Sequence, residues 1–198
     1  MKRLLESIAL CAVCLAVAMP CLAEPVSEED QVPVTMRRTT LVVNDMNASL
    51  AFYRDAVGMK VLYDNTFRTP RSAKTDDEAD SIIHLVFLRA NDDFIGILGL
   101  MEYEKPAKAA PEAMPEPFGV GSVVLMFNTE DLEDSFGKLE AVPGVKVLSE
   151  PRDTTYPSYD GKGTIPVKVS VLVDPDGHVV EFNQLMVDPK EMLQASQD

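Results

Sequence analysis

Two segments of this chain recur 86 residues downstream. Asp45-Met46-Asn47-Ala48-Ser49-Leu50 is echoed by Asp131-Leu132-Glu133-Asp134-Ser135-Phe136, and Gly58-Met59-Lys60-Val61-Leu62 by Gly144-Val145-Lys146-Val147-Leu148. Two matches at one offset, each set in the order strand, helix, strand, strand, strand, mark an internal duplication. In the first copy the pattern predicts a strand over 36–44 and a helix from about Met46 to Val57. Asn44 or Asp45 caps that helix, and Gly58 takes its left-handed end. A strand over 59–63, an exposed polar connection over 65–80, and strands over 81–89 and 94–102 complete the copy. The turn at 90–93 joins the last two strands. Residues 103–118 carry Pro106, Pro111, Pro115 and Pro117 and read as a linker.

The second copy opens with a strand over 120–128. A helix follows with Leu132, Phe136 and Leu139 on one face, ended by Pro143-Gly144. A strand over 145–148 leads into a long loop and then a closing hairpin, 167–173 and 179–182. The hairpin turns on Asp174-Pro175-Asp176-Gly177, where proline sets one φ and glycine accepts a positive one. It fixes Glu181 on a sheet, facing either solvent or a cavity. Asp188-Pro189 reads as the cap and first turn of a short C-terminal helix.

Before the duplication, Met1-Lys2-Arg3, an apolar run over 8–19 and the small-residue end Cys21-Leu22-Ala23 predict a signal peptide cleaved after Ala23. The apolar run is shorter than the ~20 residues a membrane span needs. The expected location is therefore exported, periplasmic or secreted. Lipidation at Cys21 is the minor alternative, weakened by Pro20. All three cysteines lie in this segment, so the remaining 175 residues would hold their fold without disulfides.

Residues 24–35 are acidic and aperiodic and read as a flexible lead-in. The full chain carries a net charge of −14, and the predicted leader contributes +1 through Lys2, Arg3 and Glu6. The remainder is thus −15, a poor partner for nucleic acid or an anionic membrane.

The segment Leu41-Val42-Val43-Asn44-Asp45 with Ser49-Leu50-Ala51-Phe52-Tyr53-Arg54-Asp55-Ala56-Val57-Gly58, together with Asp174-Pro175-Asp176-Gly177-His178-Val179-Val180-Glu181, resembles the vicinal oxygen chelate superfamily. This group includes glyoxalases, bleomycin-resistance proteins and ring-cleaving dioxygenases. The resemblance covers 36–187 and implies an α+β domain of two βαβββ modules, 36–102 and 119–187. Their mixed sheets would form a half-open, cup-like cavity, with a short tail over 188–198. Enzymatic members hold a divalent metal at the floor of the cup, with His or Gln from first strands and carboxylates from final strands.

This chain departs from that ligand pattern. Arg38, an obligate cation, stands at the first-strand position of module one. Val124, or Ser122 if the strand is slipped by two, stands at that of module two. Glu181 alone occupies a family ligand position, with Glu102 as a reserve. His84 and His178 are the only histidines, too few for a multi-histidine site. His84 reads as a hydrogen-bonded core or edge residue and His178 as exposed.

Arg38 would face Glu181 across the cup, as its ion-pair partner or as a holder of an anionic ligand, with simple solvent exposure as the alternative. Tyr156 and Tyr159 sit in the loop over 151–166, where they form either a lid or ordinary surface. The departures favour a metal-independent binder of a small organic, optionally anionic, molecule. The alternatives are a metal-dependent lyase or dioxygenase using Glu181, and a structural or interaction domain of the cell envelope. Whether it is an enzyme stays open, a divalent metal cofactor is not excluded, and a homodimer is compatible with the fold.

Overall fold

The computed structural model describes residues 27–112, 114, 116–158, 161 and 163–187. The predicted leader, Tyr159 and the C-terminal helix expected at Asp188 lie outside the described residues. A 3-10 turn at Glu28–Asp30 belongs to a separate unit ending at Gln31.

From Val32 onward the order is β1 (Arg38–Val43), α1 (Met46–Leu50), a π-helical turn (Ala51–Ala56), β2 (Lys60–Thr69), β3 (Ser81–Arg89) and β4 (Ile97–Lys105). Then come β5 (Val124–Asn128), α2 (Leu132–Glu140), β6 (Lys146–Pro157), β7 (Thr164–Val173) and β8 (Val179–Leu185). Two four-stranded mixed sheets result, ordered β1-β4-β3-β2 and β5-β8-β7-β6. In each, the first strand pairs in parallel with the last, and the other pairings are antiparallel. The chain thus has the α+β, two-module, half-open architecture the resemblance implies.

The 86-residue offset survives in the backbone. Asp45 caps α1 by accepting from the Asn47 and Ala48 amides, and Asp131 caps α2 by accepting from that of Asp134. Gly58 and Gly144 take φ +89° and +90°, a region that costs an L-residue roughly 1–2 kcal/mol. They turn each helical segment into its second strand, at Lys60 and Lys146.

Three sequence expectations need correction. The helix predicted to Val57 is α-helical only to Leu50. The Val57 amide then donates to the Phe52 carbonyl, five residues back. This wider turn sets two consecutive rings, Phe52 and Tyr53, in the core. The polar connection over 65–80 is strand as far as Thr69, and the loop over 151–166 is strand as far as Pro157. Both β2 and β6 are edge strands. One flank of such a strand needs no ladder partner, so polar residues and Pro151 are tolerated and the apolar alternation fades.

One apolar core joins the modules. Leu41, Val43, Val86, Leu88, Leu98 and Leu100 of the first sheet cluster with Phe127, Leu172, Val180 and Phe182 of the second. Met46, Leu50, Phe52, Tyr53, Leu132, Phe136 and Leu139 of the helical segments lie among them. Truncating one of the fully buried leucines, such as Leu139, would cost about 2–5 kcal/mol. This core uses the helix side of each sheet, so residues one step out of phase point to the opposite, helix-free side.

Candidate functional site

On the helix-free side of the first sheet, cross-strand register sets Thr40 beside Gly99, Gly99 beside Phe87, and Phe87 beside Tyr63. Tyr63 stacks on Phe87 with ring centroids 5.1 Å apart and lies near Phe67 at 6.5 Å. The Arg38 guanidinium lies over the Phe87 ring, 4.1 Å from its centroid. Such cation–π contacts contribute about 0.5–2 kcal/mol. Among the described residues Arg38 has no carboxylate partner, so its hydrogen-bonding fork is uncommitted.

On the helix-free side of the second sheet, Glu181 lies between Met126 on β5 and Val171 on β7. Its Oε1 accepts from the Tyr156 hydroxyl at 2.9 Å and from Asn183 Nδ2 at 3.0 Å. Its Oε2 has no partner among the described residues. Asn183 is buried, and its Oδ1 also lacks a partner. An unpaired buried acceptor costs about 1–3 kcal/mol. Glu181 Oε2 is thus left to accept from a ligand that brings a donor. The Tyr156 phenol is pushed above its ordinary value, first by burial and then by the hydrogen bond and negative charge of Glu181. The Arg152 charge and an Asn183 hydrogen bond act in the opposite sense.

The expected Arg38–Glu181 ion pair is not formed: Arg38 rests on Phe87, and Glu181 is held by Tyr156 and Asn183. Val124 and exposed Met126 share the helix-free face with Glu181. Ser122 precedes β5, where its hydroxyl donates to the Glu116 carbonyl at 3.3 Å. Tyr156 belongs to an edge strand, not a loop, which removes it from the role of mobile lid.

Glu102 lies on the helix side of its sheet, beside Val43, and accepts from the Met46 amide at 3.1 Å. It therefore cannot join Glu181 around one ion. His84 pairs with Asp64 at 2.7 Å. His178, expected to be exposed, is half-buried with Nδ1 3.0 Å from Asp174 Oδ2.

Met126 and Asn183 escaped sequence reasoning. Asn183 was reachable, because a residue two after Glu181 on a strand shares its face. Met126 needed the parallel register. Two clefts lie elsewhere, one of about 230 Å³ lined by Met114, Lys146, Leu148 and Pro175, the other of about 200 Å³ lined by Val57, Phe127, Ser135 and Phe182. Neither includes Arg38 or Glu181.

A metal of the family kind does not fit the helix-free faces. Divalent ions of that kind need several imidazole, carboxylate or thiolate donors converging. The positions concerned present Arg38, Val124, Met126 and a single carboxylate, Glu181.

Comparison with known proteins identifies the family and the fold. Residues 35–182 match the family model described as the Glyoxalase/Bleomycin resistance protein/Dioxygenase superfamily. A glyoxalase family protein of Bacillus cereus is similar in structure, with TM-score 0.60 and 12% identity, covering 80% of this chain and 98% of that one. The trypanothione-dependent glyoxalase I of Leishmania major is similar with TM-score 0.50 and 21% identity, covering 83% and 93%. These identities carry the fold alone. No curated protein matches the sequence.

Proposed function

The chain belongs to the glyoxalase/bleomycin resistance protein/dioxygenase superfamily, and from that premise we propose that it binds a small organic anion in its cup without the superfamily's metal. The observation that carries this reading is the placement of Arg38. Its guanidinium is stacked on Phe87, next to the Tyr63 and Phe67 rings, and has no carboxylate partner among the described residues. An aromatic floor with one pre-oriented, uncommitted cation suits a flat or apolar body bearing a carboxylate or phosphate. Glu181 Oε2, on the helix-free face of the second sheet, is a further acceptor for a hydroxyl or amine donor. A glyoxalase-type lyase or dioxygenase would need ligands besides Glu181 that these faces do not supply. The sequence of the first 23 residues supports a further part of the reading, that the protein acts after export, in the periplasm or outside the cell.

The test is ligand titration by NMR with benzoate, 4-hydroxybenzoate and phenyl phosphate on the native protein and Arg38→Ala. At least one probe should shift the Arg38, Tyr63 and Phe87 resonances. Removing the guanidinium should weaken binding about 10- to 100-fold, the equivalent of a charged hydrogen bond of about 1.5–3 kcal/mol. Equal affinity in both proteins would remove Arg38 from the site.

A further inference from the structure

Outside the cup, three metal-ligating side chains meet on the helix side of the first sheet. His84 on β3 is the direct cross-strand neighbour of Glu102 on β4, and Glu104, two residues on, shares that face. One donor atom from each of these three residues lies within 4.8 Å of the others. His84 Nε2 is bonded to Asp64 Oδ1 of β2 at 2.7 Å, and Nδ1 points toward Glu104 Oε1 at 3.8 Å. One ring nitrogen is thus engaged by an orienting carboxylate while the other points toward Glu104. This is the usual arrangement of a metal-bound histidine with its supporting acid. Glu102 is fixed as well, since its Oε2 accepts from the Met46 amide at 3.1 Å, leaving Oε1 to turn toward the cluster. Among the described residues neither Glu102, Glu104 nor Asp64 has a lysine or arginine partner. Three carboxylates therefore share one imidazole and no fixed cation.

We propose that His84, Glu102 and Glu104 bind one divalent transition ion, with Asp64 orienting the imidazole. One nitrogen and two carboxylate oxygens suit zinc, manganese, cobalt or nickel better than magnesium, which prefers an all-oxygen octahedron. Donors about 2.1 Å from an ion are separated from one another by roughly 3.4 Å in a tetrahedral shell. The 4.8 Å spread closes by rotation of the Glu104 side chain, which is on the exposed end of the cluster. Because Glu102 also holds the first amide of α1, the ion would tie β3, β4 and the start of that helix together. The site lies on the opposite side of the sheet from Arg38 and does not depend on the ligand reading above.

The experiment is calorimetric titration of the chelator-treated protein with zinc, manganese and magnesium chloride, supported by manganese-induced broadening of amide NMR signals. The native protein should bind one equivalent of zinc or manganese, with broadening centred on residues 64, 84, 102 and 104. His84→Ala should abolish stoichiometric binding, Asp64→Asn should weaken it about 10- to 100-fold, and Glu181→Gln should leave it unchanged. Glu104→Gln alters an exposed side chain, so its loss of binding should come with an intact fold by NMR. Absence of stoichiometric binding to the native protein would overturn the proposal. So would binding that survives His84→Ala and Glu104→Gln, or binding lost in Glu181→Gln.

Discussion

The Tyr53 hydroxyl donates to Asp174 Oδ2 at 2.8 Å, joining the helical segment of one module to the hairpin turn of the other through 121 residues of sequence. Both residues are buried, and Asp174 also accepts from the Asp176 and His178 amides. Burial first, and the neighbouring Asp174 second, push the Tyr53 phenol well above its ordinary range, so it stays a donor. Tyr53→Phe keeps the ring packing and removes one donor from a buried carboxylate. Urea unfolding should show a loss of about 1–3 kcal/mol. A loss below about 0.5 kcal/mol would mean that the other donors suffice.

His178 beside Asp174 gives the fold a pH dependence. Burial pushes the imidazole down, but the Asp174 hydrogen bond and the charges of Asp174 and Asp176 outweigh it, and the net direction is upward from 6.5. A raised folded value means that His178 contributes its full stability below the ordinary histidine value. That contribution is lost as pH rises through the raised one. Unfolding midpoints of the native protein should therefore fall, relative to those of His178→Asn, from about pH 6 toward pH 8. Parallel profiles for the two proteins would rule the linkage out.

The paired caps differ in how many amides they satisfy. Asp45 accepts two, at 2.8 and 3.1 Å, and Asp131 accepts one, at 3.1 Å. Replacing either with alanine should cost about 0.5–2 kcal/mol, with Asp45→Ala the larger loss. Chemical denaturation of the two variants settles the order, and a larger loss for Asp131→Ala would contradict it.

On the second sheet, the Tyr156 phenol should ionise later than a free tyrosine because of its burial and the Glu181 carboxylate. Tyrosine ring-carbon NMR should follow its titration separately from the other tyrosines. Glu181→Gln removes the negative charge and should move the midpoint down. An unmoved midpoint would show that burial alone sets it.

The duplicated architecture was legible in the sequence because its markers act locally. Capping aspartates, left-handed glycines and the Asp174–Gly177 turn work through adjacent backbone, wherever the rest of the chain lies. The full lengths of β2 and β6 were hidden, since edge strands need neither alternation nor freedom from proline, and Pro151 and Arg68 read as loop residues. At the site, the family pattern addressed Arg38 and Glu181 but could not say what each touches. Arg38 was expected opposite a carboxylate and sits on Phe87, a contact set by the β1–β4–β3 register. Glu102 was weighed as a cup ligand, yet strand phase assigns it to the other side of the sheet. A shift of one residue in phase decides this, and boundary reading from sequence is coarser than that.

The parallel closures have a kinetic consequence. Pairing Arg38 with Ile97 spans 59 residues, and pairing Val124 with Val179 spans 55. Such long loops must close before their contacts repay the entropy, which slows folding relative to a chain of mostly local contacts. Each sheet finds all its strand partners within its own module, whereas the apolar cluster draws on both. A nascent first module could thus zip its ladder early but would lack the six of seventeen buried core residues that the second module supplies until the chain reached Phe182. The shared interior therefore couples the stability of the two modules, though the hydrogen-bond ladders are separate.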